Sequence, residues 1–242
     1  MKKKIIENIK ILIYALVIAT LIRSFLFQPF YIPSSSMEPN LLIGDRLFVS
    51  KYTYGFSRHS FPFSPNITNK RHLSKKPKRG DVIVFKTPAD NRTDYIKRLI
   101  GLPGDSIQFI NGSLYINNEL VKRTLLTNEK KITCGENVFE TNSFEETLSN
   151  GKKYIAVYRK EGTMMNSDLY LVPLNHYFFL GDNRDCSKDS RFLSSVGYVK
   201  FTNIVGKARV IFFSNDRNIG SLLTPFKWHS SIRFKRTLKK IN

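Results

Sequence analysis

Residues 105–120 read DSIQFINGSLYINNEL. Two short runs of β-branched and aromatic residues flank Asn111-Gly112, a pair that readily takes the positive φ angles of a tight hairpin turn. The same pattern continues on both sides. DRLFVSKYTYGF (45–56), GDVIVFKTP (80–88), DYIKRLIGL (94–102), KKYIAVYR (152–159), DLYLVP (168–173), HYFFLGD (176–182) and NIVGKARVIFFS (203–214) are strand-length runs. Gly, Asn, Asp and Pro separate them, as at Pro103-Gly104-Asp105. This predicts a mainly β, antiparallel body with few helices. Two stretches interrupt the pattern. Ser57 to Arg79 is basic, Pro-containing and aperiodic, which suits a long loop or a membrane-facing insertion. Thr124 to Ser167 is more polar and suits a smaller subdomain.

A chain of 242 residues, 41% hydrophobic and with 19 Phe and 11 Tyr, has enough apolar surface to bury a core and is not a disordered polyelectrolyte. Its 39 Lys and Arg outweigh 19 Asp and Glu, and the net charge of +20 draws it to an anionic surface. Charge does not choose between nucleic acid and membrane headgroups. Cys134 and Cys186 are too few for a zinc site or a disulfide framework; a single bridge and two unpaired thiols both fit.

The N-terminus supplies the choice. MKKKIIENIK precedes the apolar run ILIYALVIATLI (11–22), then Arg23 and a further apolar stretch. As a helix, residues 11–27 reach about 26 Å at about 1.5 Å per residue, nearly the thickness of a hydrocarbon core. A cleavable signal peptide is the competing reading, but no small-x-small site follows and the chain continues LFQPFYIP. An uncleaved anchor over 11–27 is the expectation. Lys2, Lys3, Lys4 and Lys10 would hold residues 1–10 in the cytoplasm and leave the rest on the far side. At the other end PFKWHSSIRFKRTLKKIN (225–242) mixes aromatics with six basic residues, as a membrane-surface segment or a solvated tail would.

Three segments carry the chemistry. Ser34, Ser35 and Ser36 lie between Pro33 and Pro39, a poor setting for a regular helix and a good one for presenting a hydroxyl on a bend. A Ser triplet alone is ordinarily a turn; its position just past the anchor is what marks it. A serine nucleophile needs a base. None of the four histidines (His59, His72, His176, His229) sits in a motif with an acid partner, so they read as structural or surface groups. Lys97 lies among Ile96, Leu99, Ile100 and Leu102 in what reads as a buried strand, where desolvation lowers a lysine pKa and lets the neutral amine accept a proton. The plain alternative is a solvent-facing charge. Finally, residues 181–191 (GDNRDCSKDSR) crowd acids, arginines and hydroxyls after an apolar run. Asp189 and Arg191 could form an ion pair, and Ser187 could orient the lysine amine. Carboxylates interleaved with Arg and Lys and lacking a nearby His make a poor metal site, and no metal or cofactor is expected.

Together with Gly80-Asp81-Val82-Ile83-Val84-Phe85, these segments resemble the type I signal peptidases of bacteria, in the family's order. The matching signatures are Ser36-Met37-x-Pro39, Lys97-Arg98-x-x-Gly101-x-Pro103-Gly104-Asp105 and Gly181-Asp182-Asn183-Arg184-x-x-Ser187-x-Asp189-Ser190-Arg191. The resemblance implies a membrane-bound serine endopeptidase that removes signal peptides from preproteins after Ala-x-Ala sites. Ser36 is then the nucleophile and Lys97 the base. The Ser34 hydroxyl joins the Ser36 N–H in an oxyanion hole, Ser187 holds the lysine, and Asp189 with Arg191 supports the loop. Phe30, Ile32, Tyr95 and Ile96 line shallow pockets for small substrate side chains. Lys97 in place of His points to the bacterial or organellar branch, hence the bacterial inner membrane. Asn40 departs from the family's usual Thr, and Cys186 sits inside the third motif.

The implied fold is an antiparallel β catalytic core (28–105 and 176–215) with an inserted β subdomain (106–175), preceded by one transmembrane helix and followed by a basic tail (216–242). Expected partners are preproteins and membrane lipid, not nucleic acid. Two alternatives remain. A Ser/Lys autoprotease of the repressor type would use a scissile linker such as Cys134-Gly135; an inert basic protein would bind nucleic acid or lipid without chemistry.

Overall fold

The computed structural model describes residues 2–126, 130–135, 137–216, 219–220 and 224–241. The chain opens as helix α1 (Lys2–Leu21), which widens into a π turn over Ile22–Leu26. The 24 residues from Lys3 to Leu26 are long and apolar enough to cross a membrane, and of them only Ser24 is buried against the protein. The helix starts well before residue 11 because the Lys-rich opening contains neither Gly nor Pro to break it.

Four strands follow: β1 (Phe27–Tyr31), β2 (Asp45–Ser50), β3 (Val82–Lys86) and β4 (Asp94–Gly101). The middle of the chain forms β5 (Ser106–Ile110), β6 (Ser113–Ile116), β7 (Glu119–Leu120), β8 (Lys122–Leu125), β9 (Lys130–Cys134), β10 (Asn137–Thr147), β11 (Lys153–Arg159) and β12 (Tyr170–Leu171). The last strands are β13 (His176–Leu180), β14 (Val199–Lys200), β15 (Ile204–Ser214) and β16 (Lys239–Lys240). The main sheet runs β1-β2-β15-β3-β4-β13-β14, with β16 also on β15; β12-β5-β6-β7 and β11-β10-β8, with β9 on β10, make two small sheets. Every pairing between these strands is antiparallel. The hairpin read from Asn111-Gly112 joins β5 to β6 with Ile110 opposite Ser113, and both turn residues take positive φ.

The centre of the main sheet is buried on both faces, which is why β3 reads as an unbroken apolar run. Val82 and Val84 pack with Ile32, Met37, Leu47 and Val49, while Ile83 and Phe85 pack on the opposite side with Leu99, Tyr177 and Phe179. A third cluster joins Ile100, Phe178 and Leu180 of the main sheet to Ile107, Phe109, Ala156 and Tyr158 of the small sheets. Residues 106–175 thus hold two small sheets that share apolar packing with β4 and β13.

Two readings left open in the sequence are resolved by the structure. The basic tail is folded onto the main sheet: β16 pairs with Val210 and Ile211, Arg236 binds the fully buried Asp45, and Arg233 binds Asp216. The cysteines left open above form a disulfide, Cys134–Cys186, with Cα atoms 5.6 Å apart across a separation of 52 residues.

Candidate active site

Pro33 and the following extended Ser34 end the approach from β1, and residues Ser35–Met37 close a single 3₁₀ turn. Met37 anchors that turn in the core, leaving Ser36 7% exposed beside it. From the centre of the main sheet β4 presents Lys97, opposite Ile83 on β3. The Lys97 Nζ lies 2.5 Å from the Ser36 Oγ, and the Ser34 Oγ lies 3.3 Å from the same oxygen. Lys97 is 3% exposed, with its Nζ 5.5 Å from the Tyr95 ring centre. Desolvation pulls its pKa from 10.5 down to about 8, against the opposing pull of Asp189 and Asp182 and with a smaller push from Arg191. A serine hydroxyl and a buried amine of that acidity, in hydrogen-bond contact, can exchange a proton near neutral pH.

The loop after β13 braces this pair. Asn183 donates its backbone N–H to the Ser36 carbonyl at 3.1 Å and its side-chain amide to the Ser35 carbonyl at 3.2 Å, tying the two segments together. Arg191 grips Asp189 through both carboxylate oxygens at 2.8 and 2.9 Å, and the Gly181 N–H donates to the same carboxylate. Burial would raise the Asp189 pKa, but Arg191 outweighs it and holds the carboxyl below its ordinary value. Next to Lys97, Arg98 makes a second two-pronged pair with Asp182 at 2.7 and 2.8 Å. Asn40 donates to Asp182 and to the Ile155 carbonyl, both at 2.7 Å, so this departure from the usual Thr links the serine segment to β11.

Ser187 departs from its expected role. Its hydroxyl is buried against Gly181 and Asp189 and closes no hydrogen bond to Lys97. The approach is tight: a Cβ on Gly181 would fall 2.2 Å from the Ser187 Oγ and 2.5 Å from the Ser36 carbonyl oxygen. Of the expected pocket residues, Phe30, Ile32 and Ile96 come together in one cluster with Met37. Tyr95 lies on the opposite face of β4, the face of Lys97, as strand alternation requires.

One group at the site escaped the sequence reading. Glu146 on β10 takes a two-pronged ion pair from Arg184 at 2.7 and 3.0 Å and hydroxyl hydrogen bonds from Tyr154 and Tyr158, each 2.6 Å. Both charged side chains are 1% exposed. The only sequence signal was an acid in a polar stretch preceding two tyrosines on the next strand, which is weak. Among the described residues no group of three or more His, Cys, Asp or Glu could hold a metal ion. The Cys134-Gly135 step lies in the turn between β9 and β10, with Cys134 in the disulfide, and so is no free linker.

A bent serine segment beside a buried strand lysine, on a curled antiparallel sheet, is the arrangement of a serine hydrolase. The chain matches the family described as signal peptidase, peptidase S26, over residues 5–213. It is 40% identical over 249 residues to signal peptidase I of Rickettsia bellii (strain OSU 85-389), covering 96% of this chain and 84% of that one. To signal peptidase I of Rickettsia typhi (strain ATCC VR-144 / Wilmington) it is 39% identical over 247 residues, covering 94% and 90%. A crystal structure of a signal peptidase I from Enterococcus faecalis V583 overlaps 55% of this chain and 97% of its own, at 30% identity and a TM-score of 0.32. The chain belongs to the signal peptidase (S26) family of serine endopeptidases.

Proposed function

We propose that this protein is a membrane-anchored endopeptidase that cuts preproteins after Ala-x-Ala sites, with Ser36 as nucleophile and Lys97 as general base. The observation that carries the reading is the 2.5 Å contact between the Ser36 hydroxyl and a buried amine whose pKa is lowered to about 8. In the first step Ser36 Oγ bonds to the scissile carbonyl carbon and its proton passes to Lys97 Nζ. The oxyanion that forms is held by the Ser36 N–H and the Ser34 hydroxyl, donors that act on charge present only in the transition state. The C–N bond then breaks, and Lys97 returns the proton to the leaving amine. Water attacks the resulting ester, Lys97 takes its proton, and the acyl group departs as the acid while Ser36 regains its hydrogen. Asp189, Arg191 and Ser187 position the loop behind the lysine, and Phe30, Ile32, Tyr95 and Ile96 select small side chains.

The apolar helix and the lysines before it support a single-pass anchor in the bacterial inner membrane, with the N-terminus cytoplasmic and the β body, including a catalytic core (28–105 and 176–215), on the outer side. Preproteins and membrane lipid are the partners this reading requires. The test is cleavage of an Ala-x-Ala preprotein by the detergent-solubilised full chain, beside folded Ser36→Ala and Lys97→Ala. Cleavage by the parent alone is expected; full activity in Lys97→Ala would overturn the base assignment.

A further inference from the structure

A cavity of about 610 Å³, lined by neither Ser36 nor Lys97, opens between the end of the apolar helix and the Ser57–Arg79 loop. Its volume falls within the roughly 300–1,000 Å³ typical of small-ligand sites. The wall is strongly basic: Arg23, Arg58, Lys86 and Arg92 line it, together with Asp90 and Asp94. Both carboxylates are already engaged. Asp94 pairs with Lys86 at 2.9 Å, and Asp90 accepts from the Thr87 hydroxyl and from the backbone N–H groups of Arg92 and Thr93. Among the described residues the three arginines make no salt bridge, and Arg58 donates to the neutral His59 ring and Asn66 side-chain oxygen. The cavity therefore presents a surplus of fixed positive charge to whatever enters.

The loop that walls it is built against the helix end. Phe25 packs edge-on to Phe56 and Phe61 at 5.4 and 5.6 Å, and the buried Lys51 amine donates to the His59 and Ser60 carbonyls at 3.1 Å each. The cavity is thus preformed where the chain leaves its apolar helix. At its mouth Phe63 is completely exposed, and Ile67 and Leu73 on the same loop also stand in solvent. Exposed apolar side chains next to arginines that carry no counter-charge among the described residues suit an interface with hydrocarbon on one side and anionic headgroups on the other.

We propose that this cavity binds the headgroup phosphate of an anionic phospholipid, with Arg23, Arg58 and Arg92 around the phosphate and Phe63 among the acyl chains. The proposal rests on reading Lys3–Leu26 as a membrane anchor, which brings the cavity to headgroup level. Guanidinium groups bind phosphate oxygens in pairs and tolerate partial desolvation. The lipid would fix the height of the β body over the bilayer.

The test is native mass spectrometry of the full chain, released from neutral micelles that hold equimolar phosphatidylglycerol and phosphatidylcholine. The parent should retain phosphatidylglycerol selectively. Arg58→Gln with Arg92→Gln should cut that preference by roughly 25-fold, about fivefold per charge, whereas Arg58→Lys with Arg92→Lys should keep most of it. Equal retention of the two lipids by the parent, or an unchanged preference in the Gln pair, refutes the site. Displacement of the lipid by millimolar inorganic phosphate would make it a free-phosphate site and refute the lipid assignment. Preprotein cleavage in the same micelles reads the catalytic proposal separately: Ser36→Ala should lose cleavage and keep the lipid preference.

Discussion

Replacing Lys97 by Met removes the charge of a buried amine while keeping much of its volume. In the folded protein Lys97 has a pKa of about 8 instead of 10.5. Below pH 8 both folded and unfolded chains carry the proton, and the full penalty of burying the charge, about 3 kcal/mol, weighs on the folded state. Between pH 8 and 10.5 the unfolded chain binds the proton more often than the folded one, so stability rises with pH and the penalty fades. Met escapes the penalty but loses the hydrogen bond to Ser36, worth about 1 kcal/mol. Lys97→Met should therefore be more stable than the parent by about 2 kcal/mol at pH 7 and less stable by about 1 kcal/mol above pH 10.5.

Two stability curves that cross are the expected result. Denaturant midpoints at a series of pH values, read by far-UV circular dichroism in neutral detergent, would measure them. Parallel curves, or a variant already weaker at pH 7, would refute the claim that desolvation sets the lysine pKa. The parent's cleavage rate should follow the same titration, rising roughly tenfold from pH 7 to pH 9 as the neutral amine accumulates. An acid limb near pH 10 would mean that the amine is hydrated in the working enzyme.

Three further outcomes follow from the geometry. Gly181→Ala places a Cβ 2.5 Å from the Ser36 carbonyl oxygen, and displacing the nucleophile should lower cleavage by about 100-fold with the chain still folded; near-parent kcat would refute the tight approach. Glu146→Gln leaves Arg184 buried without its counter-charge and should destabilise the protein by about 3–5 kcal/mol, read from the denaturant midpoint. A loss under about 1 kcal/mol would mean that the two tyrosine hydroxyls suffice to carry the arginine. Replacing Cys134 and Cys186 together with Ser opens a loop of 52 residues and should lower stability by up to about 4 kcal/mol, and an unchanged midpoint would show that the bridge adds nothing.

The parts of the fold that were legible in the sequence are those fixed by neighbours along the chain. Asn111-Gly112 dictated a hairpin because two adjacent residues must take positive φ, and the structure closes it there. Lys97 was another matter. Local sequence makes it an ordinary strand charge, and only the resemblance across three separated segments singled it out. Its neighbour Arg98 shows why alternation was no guide: both are buried, because β4 is covered on both faces and Asp182 receives the guanidinium. The attachment of the tail was not legible for a related reason. Six basic residues look like a membrane segment until Arg236 finds Asp45, far away in the chain, and no local pattern announces that pairing. The disulfide and the Glu146–Arg184 pair also depend on long-range closure.

The ion pairs around the site account for how a lysine can serve as a base inside a chain with buried acids close by. Asp189 and Asp182 both favour the charged amine, and unpaired they would raise its pKa and leave still less neutral Lys97 at neutral pH. Each is held by an arginine through both carboxylate oxygens, Asp189 by Arg191 and Asp182 by Arg98. Much of the field of each carboxylate is thereby cancelled before it reaches the lysine, and desolvation prevails. Arg184, set into Glu146 and the tyrosines of β11, fixes the same loop from the side of the small sheets. The arginines therefore act on the base indirectly: by occupying the acids, they let burial lower its pKa.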